Sequence, residues 1–210
     1  LISEAEIDRS LARLLRTRMK LGMFDPPEMV PYAQIPYEVN DCEEHRRLAL
    51  ETARKAMVLL KNENAFLPLD KNKLNAIAVI GPNADRKSIL LGNYFGTPSR
   101  YVTPLAGIRA AVGDRVKVYY AEGCDLINRE KGFWGESATK GFAEALAAAE
   151  RADVVLMCLG ISPELEGEEG EVANSDGGGD RTSLELPGMQ QELLEIIVAT
   201  GKPVILALFN

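Results

Sequence analysis

Four apolar runs, at residues 76–81, 116–120, 154–160 and 203–209, alternate with segments of helical spacing, and this alternation constrains the fold more than any other feature. The runs are rich in Val, Ile and Leu and do not alternate strictly between apolar and polar, as expected of strands covered on both faces. Between them, Thr103-Pro104 opens a helix that Gly113 stops. Phe142, Ala145, Leu146 and Ala149 mark a second helix; Met189, Leu193, Leu194 and Ile197 mark a third, with Gly201 just past its end. The prediction is an α/β fold: a sandwich with a mostly parallel sheet flanked by helices. A hydrophobic fraction of 46% suffices for a buried core.

The region before residue 76 reads differently. Ser3 and Glu6 form a capping-box pair that Ile2 and Ile7 can staple, and Ile7, Leu11, Leu14 and Leu15 recur at helical spacing up to Gly22. Pro26, Pro27, Pro31 and Pro36 then predict an extended linker, because proline fixes φ and removes a donor. The boundaries are set at 1–25 for the first helix, 26–40 for the linker and 41–210 for the α/β domain. Asp41 with Glu44 signals a second helix through Leu48, Thr52, Ala53 and Ala56, and Val58, Leu59 and Leu60 read as a short buried strand.

A net charge of −7 argues against nucleic-acid or anionic-membrane binding, since phosphates would be repelled. No apolar run approaches the ~20 residues that span a bilayer. Cys42, Cys124 and Cys158 are too few and too widely spaced for a disulfide framework or a zinc ribbon, and Cys158 reads as a buried thiol. The chain starts at Leu1 and ends at Asn210 directly after an apolar run, so both ends read as cuts through a longer protein, and no compartment is assigned.

Ligands of open α/β sheets gather outside the carboxyl ends of the strands. The segment after Gly160 places Glu164, Glu166, Glu168, Glu169, Glu171, Asp176 and Asp180 within about twenty residues, among glycines at 167, 170 and 177–179. Crowded like charges raise carboxyl pKa values, and an acid so poised can donate a proton near neutral pH, as glycoside cleavage requires. Arg181 is a candidate clamp for one of these carboxylates. A solvated acidic turn has the same composition; position at a strand's carboxyl end is what favours chemistry. The acids lack the spacing of an EF-hand, so no metal is assigned, and no cofactor either.

These residues resemble a known family. L-E-G-E-E-G followed by G-G-D-R-T-S-L-E-L-P-G-M-Q-Q-E-L-L resembles the acid/base loop and following helix of family 3 glycoside hydrolases. A-R-K-A-M-V-L-L-K-N-E-N at 53–64, L-P-L at 67–69, I-A-V-I-G-P-N-A-D at 77–85, G-N-Y-F-G at 92–96 and V-T-P-L-A-G-I at 102–108 agree in order along the chain, and 1–25 resemble the tail of the family's first domain. The resemblance implies a preceding barrel domain with an Asp nucleophile, absent from this sequence, and a second domain that lends a Glu acid/base to the shared site. It implies an exo-acting, retaining reaction on β-linked xylose or glucose, with β-xylosidase slightly ahead. It further implies Glu166 as the acid/base with Glu168 as runner-up, Asp180 and Arg181 as the pair closing the loop, and this segment alone as inactive. The chain departs from the family pattern by inserting V-A-N-S-D-G-G-G and more before D-R.

Expected partners are an oligosaccharide or aryl glycoside and the preceding barrel, with a homodimer left open. Tyr94 could stack on a sugar ring or sit at a core edge. Trp134 could face substrate or fill a domain seam; Lys61 and Asn62 could reach an interface; His45 reads as structural. Two other classes stay open: a carbohydrate-binding or scaffold module without catalysis, and a flavodoxin-like nucleotide binder, for which G-P-N-A-D at 81–85 lacks the G-x-G-x-x-G spacing.

Overall fold

The structure is a computed structural model that describes residues 2–92, 94–127, 139–165, 181 and 183–210. It divides into two compact units, Leu1–Lys61 and Asn62–Asn210.

In the first unit, α1 (Glu4–Lys20) begins at Ser3, and the capping box anticipated there is present. Glu6 accepts from the Ser3 backbone N–H at 2.9 Å and from its hydroxyl at 2.7 Å. Acidic Glu4 and Glu6 at the start and basic Arg18 and Lys20 at the end complement the helix dipole. The proline-rich stretch is not extended. It folds into three 3₁₀ turns, Pro27–Met29, Pro31–Gln34 and Tyr37–Val39. Pro27 and Pro31 occupy first positions, where a fixed φ suits the turn and the missing N–H would have had no partner. α2 (Glu43–Ala56) starts one residue later than Asp41 suggests, from Cys42. Asp41 instead has φ 56° and accepts from the Arg46 guanidinium at 3.0 Å. Val58, Leu59 and Leu60 form no strand; they are exposed and pair with no other strand.

The second unit carries a four-stranded sheet in the order β2-β1-β3-β4, with every adjacent pair parallel. The strands are β1 (Ala76–Ile80), β2 (Lys117–Ala121), β3 (Val154–Gly160) and β4 (Val204–Phe209). All four were anticipated to within one residue at each end. Crossovers run through α3 (Pro104–Val112), α4 (Phe142–Glu150) and α5 (Gln190–Ala199). Thr103 caps α3, its hydroxyl accepting from Ala106 N–H at 3.2 Å, and Gly113 ends it at φ 62°.

The two central strands are covered on both faces, which explains their unbroken apolar sequence. On one face Ala78, Ile80, Val155, Met157 and Leu159 meet α4 and α5 through Phe142, Ala145, Ala149, Leu193 and Ile197. On the other, Val79 and Cys158 pack with Leu105, and Ile77 and Val154 with Val116, around Ile108 and Val112. The small side chains of α4 let its backbone approach the sheet. Asp153 ties the entry of β3 to that of β1, accepting from Asn75 and Ala76 N–H at 2.6 and 3.0 Å.

Candidate functional site at the carboxyl edge of the sheet

From β1 the chain moves outward on one side to β2, then returns to the other side of β1 to lay down β3. The connections thus diverge between β1 and β3, and in parallel sheets the crevice at that divergence is where ligands bind. Two glycines make the exits possible. Gly81 after β1 and Gly160 at the end of β3 have φ of 128° and 123°, and a methyl group would strike the Cys158 carbonyl in the first case and the Phe209 carbonyl in the second.

Two buried carboxamides grip the exit from β3. Gln190, the first residue of α5, is wholly enclosed. Its Oε1 accepts from Gly160 N–H at 2.7 Å, and its Nε2 donates to the carbonyls of Gly160 and Leu126, each at 2.9 Å. Asn83, also wholly enclosed, donates from Nδ2 to the Ile161 carbonyl at 3.2 Å. The Ile161 N–H meets the Phe209 carbonyl at 2.9 Å. The N–H and C=O groups of both Gly160 and Ile161 are therefore all bonded, as buried backbone requires. Asn83 Oδ1 is buried without a hydrogen-bond donor among the described residues.

Beside this exit lies a charged cluster on the β1 and β2 side. Asp85 accepts from the Thr103 hydroxyl at 2.6 Å, and Arg86 pairs with Glu122 at 3.3 Å. Burial, and then the carboxylates of Glu122 and Asp85, raise the pKa of Tyr120, so its hydroxyl stays protonated in neutral solution. Behind the strands, burial pushes the Cys158 thiol up to about 12, and burial followed by Asp125, Glu122 and Glu192 does the same to Cys124. Both are inert as nucleophiles.

Residues 57–210 match the description "Glycosyl hydrolase family 3 C-terminal domain". The chain belongs to glycoside hydrolase family 3. A β-xylosidase of Formosa agariphila is 41% identical over 97% of this chain, and the periplasmic β-glucosidase of Salmonella typhimurium is 35% identical over all of it. Among solved structures, a family 3 exo-β-xylosidase bound to a xylobiose aziridine probe superposes with a TM-score of 0.79 at 33% identity, covering 98% of this chain. The chain spans about a quarter of these proteins: 26%, 28% and 24% of their lengths, respectively.

Within this family 3 domain, Glu166, Glu168 and Asp180 lie outside the described residues, as does Trp134. Arg181 is described, and its guanidinium donates to the carbonyls of Ser183 and Glu185 at 3.1 and 2.8 Å. It fastens the returning end of the loop to itself. Tyr94 is 94% exposed in this chain, with φ 60°. Asn62 is structural: it brackets Leu67, accepting from the backbone N–H at 2.8 Å and donating to the carbonyl at 2.9 Å. His45 is exposed on α2. In the sequence Gln190 stands out only by its place in the L-P-G-M-Q motif. The available signal is its position three residues before Leu193 and seven before Ile197, a carboxamide on the buried stripe of α5.

Proposed function

We propose that this chain is the second-domain portion of an exo-acting, retaining β-glycosidase that removes β-linked xylose or glucose from non-reducing ends. The observation that carries the reading is the origin of the acidic segment. It leaves β3 at the carboxyl edge of a parallel sheet, next to the divergence between β1 and β3. The names of the relatives support the sugar chemistry, with β-xylosidases prominent among them.

In this reading a preceding barrel domain supplies an aspartate nucleophile, and the segment after Gly160 lends the acid/base across the interface. Glu166 is the first choice and Glu168 the second. Asp180 and Arg181 close the loop, and exposed Tyr94 offers a ring face to substrate. In the first step the protonated glutamic acid donates to the departing glycosidic oxygen while the nucleophile bonds to the sugar. In the second step the same group, now a carboxylate, takes a proton from the water that releases the sugar. Retention sets the two carboxyls about 5–5.5 Å apart, which requires both domains, so the segment alone is inactive.

The test is Glu166→Gln in the full-length protein. Activity on alkyl glycosides or disaccharides should fall by about 10²–10⁴-fold, while kcat/KM on dinitrophenyl glycosides, whose leaving group needs no proton, should change little. Equal loss on both substrates, with the same result for Glu168→Gln, removes the acid/base assignment.

A further inference from the structure

We propose that Gln190 and Asn83 are positioning residues for the proton-transfer step, because their buried carboxamides fix the backbone of Gly160 and Ile161 from which the acid/base segment departs. This rests on the reading that this segment carries the acid/base.

Gln190 lies on the same helical stripe as Leu193 and Ile197, both fully enclosed, where an apolar side chain would be the simpler choice. Burying a carboxamide is costly unless its polar atoms are matched. Here Oε1 and Nε2 make three hydrogen bonds, and they join three separate stretches of chain: the end of β3, the segment after β2 at Leu126, and α5 itself. Asn83 adds a fourth stretch, the turn after β1, and anchors itself by its own N–H to the Cys158 carbonyl at 3.3 Å. Two consecutive peptide units are thus held by side chains rather than by sheet ladder alone. That arrangement sets the direction in which the chain leaves the sheet, not merely the stability of the sheet. General acids work only within about 0.5 Å of their productive position. A misplacement of about 1 Å can cost about 10²-fold in rate.

A purely structural role would lower the folded fraction and scale every rate alike. A positioning role skews the rates by leaving group. The experiment uses the full-length protein with Gln190→Met, a near-isostere without hydrogen-bonding groups. It compares kcat/KM on methyl and 2,4-dinitrophenyl β-xylosides, with thermal melts confirming folding. The expected result is a loss of about 10- to 100-fold on the methyl glycoside and less than about threefold on the activated one. Asn83→Ala, which removes a single long hydrogen bond, should give the same skew at smaller amplitude and serves if Gln190→Met does not fold. Equal losses on both substrates, or no loss, in a folded variant overturn the inference. Glu166→Gln and Glu168→Gln are run alongside. A skew in either of them without one in the Gln190 and Asn83 variants sinks the positioning role alone. Absence of a skew in both glutamate variants sinks the reading of the loop, and this inference with it.

Discussion

In the first unit no described residue is buried, and Leu11 and Leu14 on the apolar stripe of α1 are 47% and 50% exposed. In the second unit Ile80, Leu193 and Ile197 are fully enclosed. Both units nevertheless contain regular helices. α1 and α2 rest on local devices: a capping box, charges matched to the helix dipole, and the Glu51–Lys55 pair at 2.9 Å on α2. Such devices contribute a few tenths to about one kcal/mol each, and isolated helices of this length are marginal in water. The helices of the second unit rest on burial, which contributes about 1.5–3 kcal/mol for each enclosed aliphatic side chain. Local signals therefore decide where a helix starts and stops, while burial supplies most of the stability of the helices that have it.

Three measurements can break or sharpen that contrast. The largest effect should come from thiol labelling of the native chain. Cys42 in the first unit is half-buried, whereas Cys124 and Cys158 in the second are enclosed, with thiols pushed up to about 12. One thiol should react quickly near pH 8 and two at least ~10³-fold more slowly, because they must wait for the second unit to open. Comparable rates for all three would show that the second unit opens as readily as the first. Next in size is a pair of truncations followed by urea unfolding. Leu193→Ala should cost about 2–5 kcal/mol, and Leu11→Ala less than about 0.5 kcal/mol in this 210-residue chain. A comparable cost at Leu11 would mean that the stripe on α1 is covered. The smallest effect concerns Asp153, whose pKa is lowered first by the backbone N–H groups of Asn75 and Ala76. A carboxylate depressed on folding stabilises above its unfolded value, and that contribution is lost as pH falls through the folded one. Melts of Asp153→Asn and the parent should differ at pH 7 and converge below about pH 4; a constant gap across that range would contradict the assignment.

The strands were legible because a parallel strand between two helical layers is apolar along its whole length, and a glycine or proline marks at least one end of each: Gly81 after β1, Gly123 after β2, Gly160 closing β3 and Pro203 before β4. The helix starts at Ser3 and Thr103 were legible because capping is a local event. The misread strand at Val58, Leu59 and Leu60 has an apolar composition that does not distinguish a strand from an exposed connection; only the presence of a partner does so. Asp41 misled by one residue because its carboxylate is taken by Arg46, a competition that composition does not reveal. The carboxamide grip at the exit of β3 was illegible for a similar reason. Gln190 bonds to residues 30 and 64 positions away, and Asn83 to one 78 away, so no sequence window contains both partners.

That grip has a polymer-physical consequence. With Gln190 fastened to Gly160, everything between them is a ring whose ends meet whatever its contour length. The entropy of closing a ring grows only as a logarithm, so doubling the contour adds about 0.6 kcal/mol. What holds the sheet at this edge is therefore the tie between the two ends, and a flexible connection of any length between residues 160 and 190 would add little to its cost.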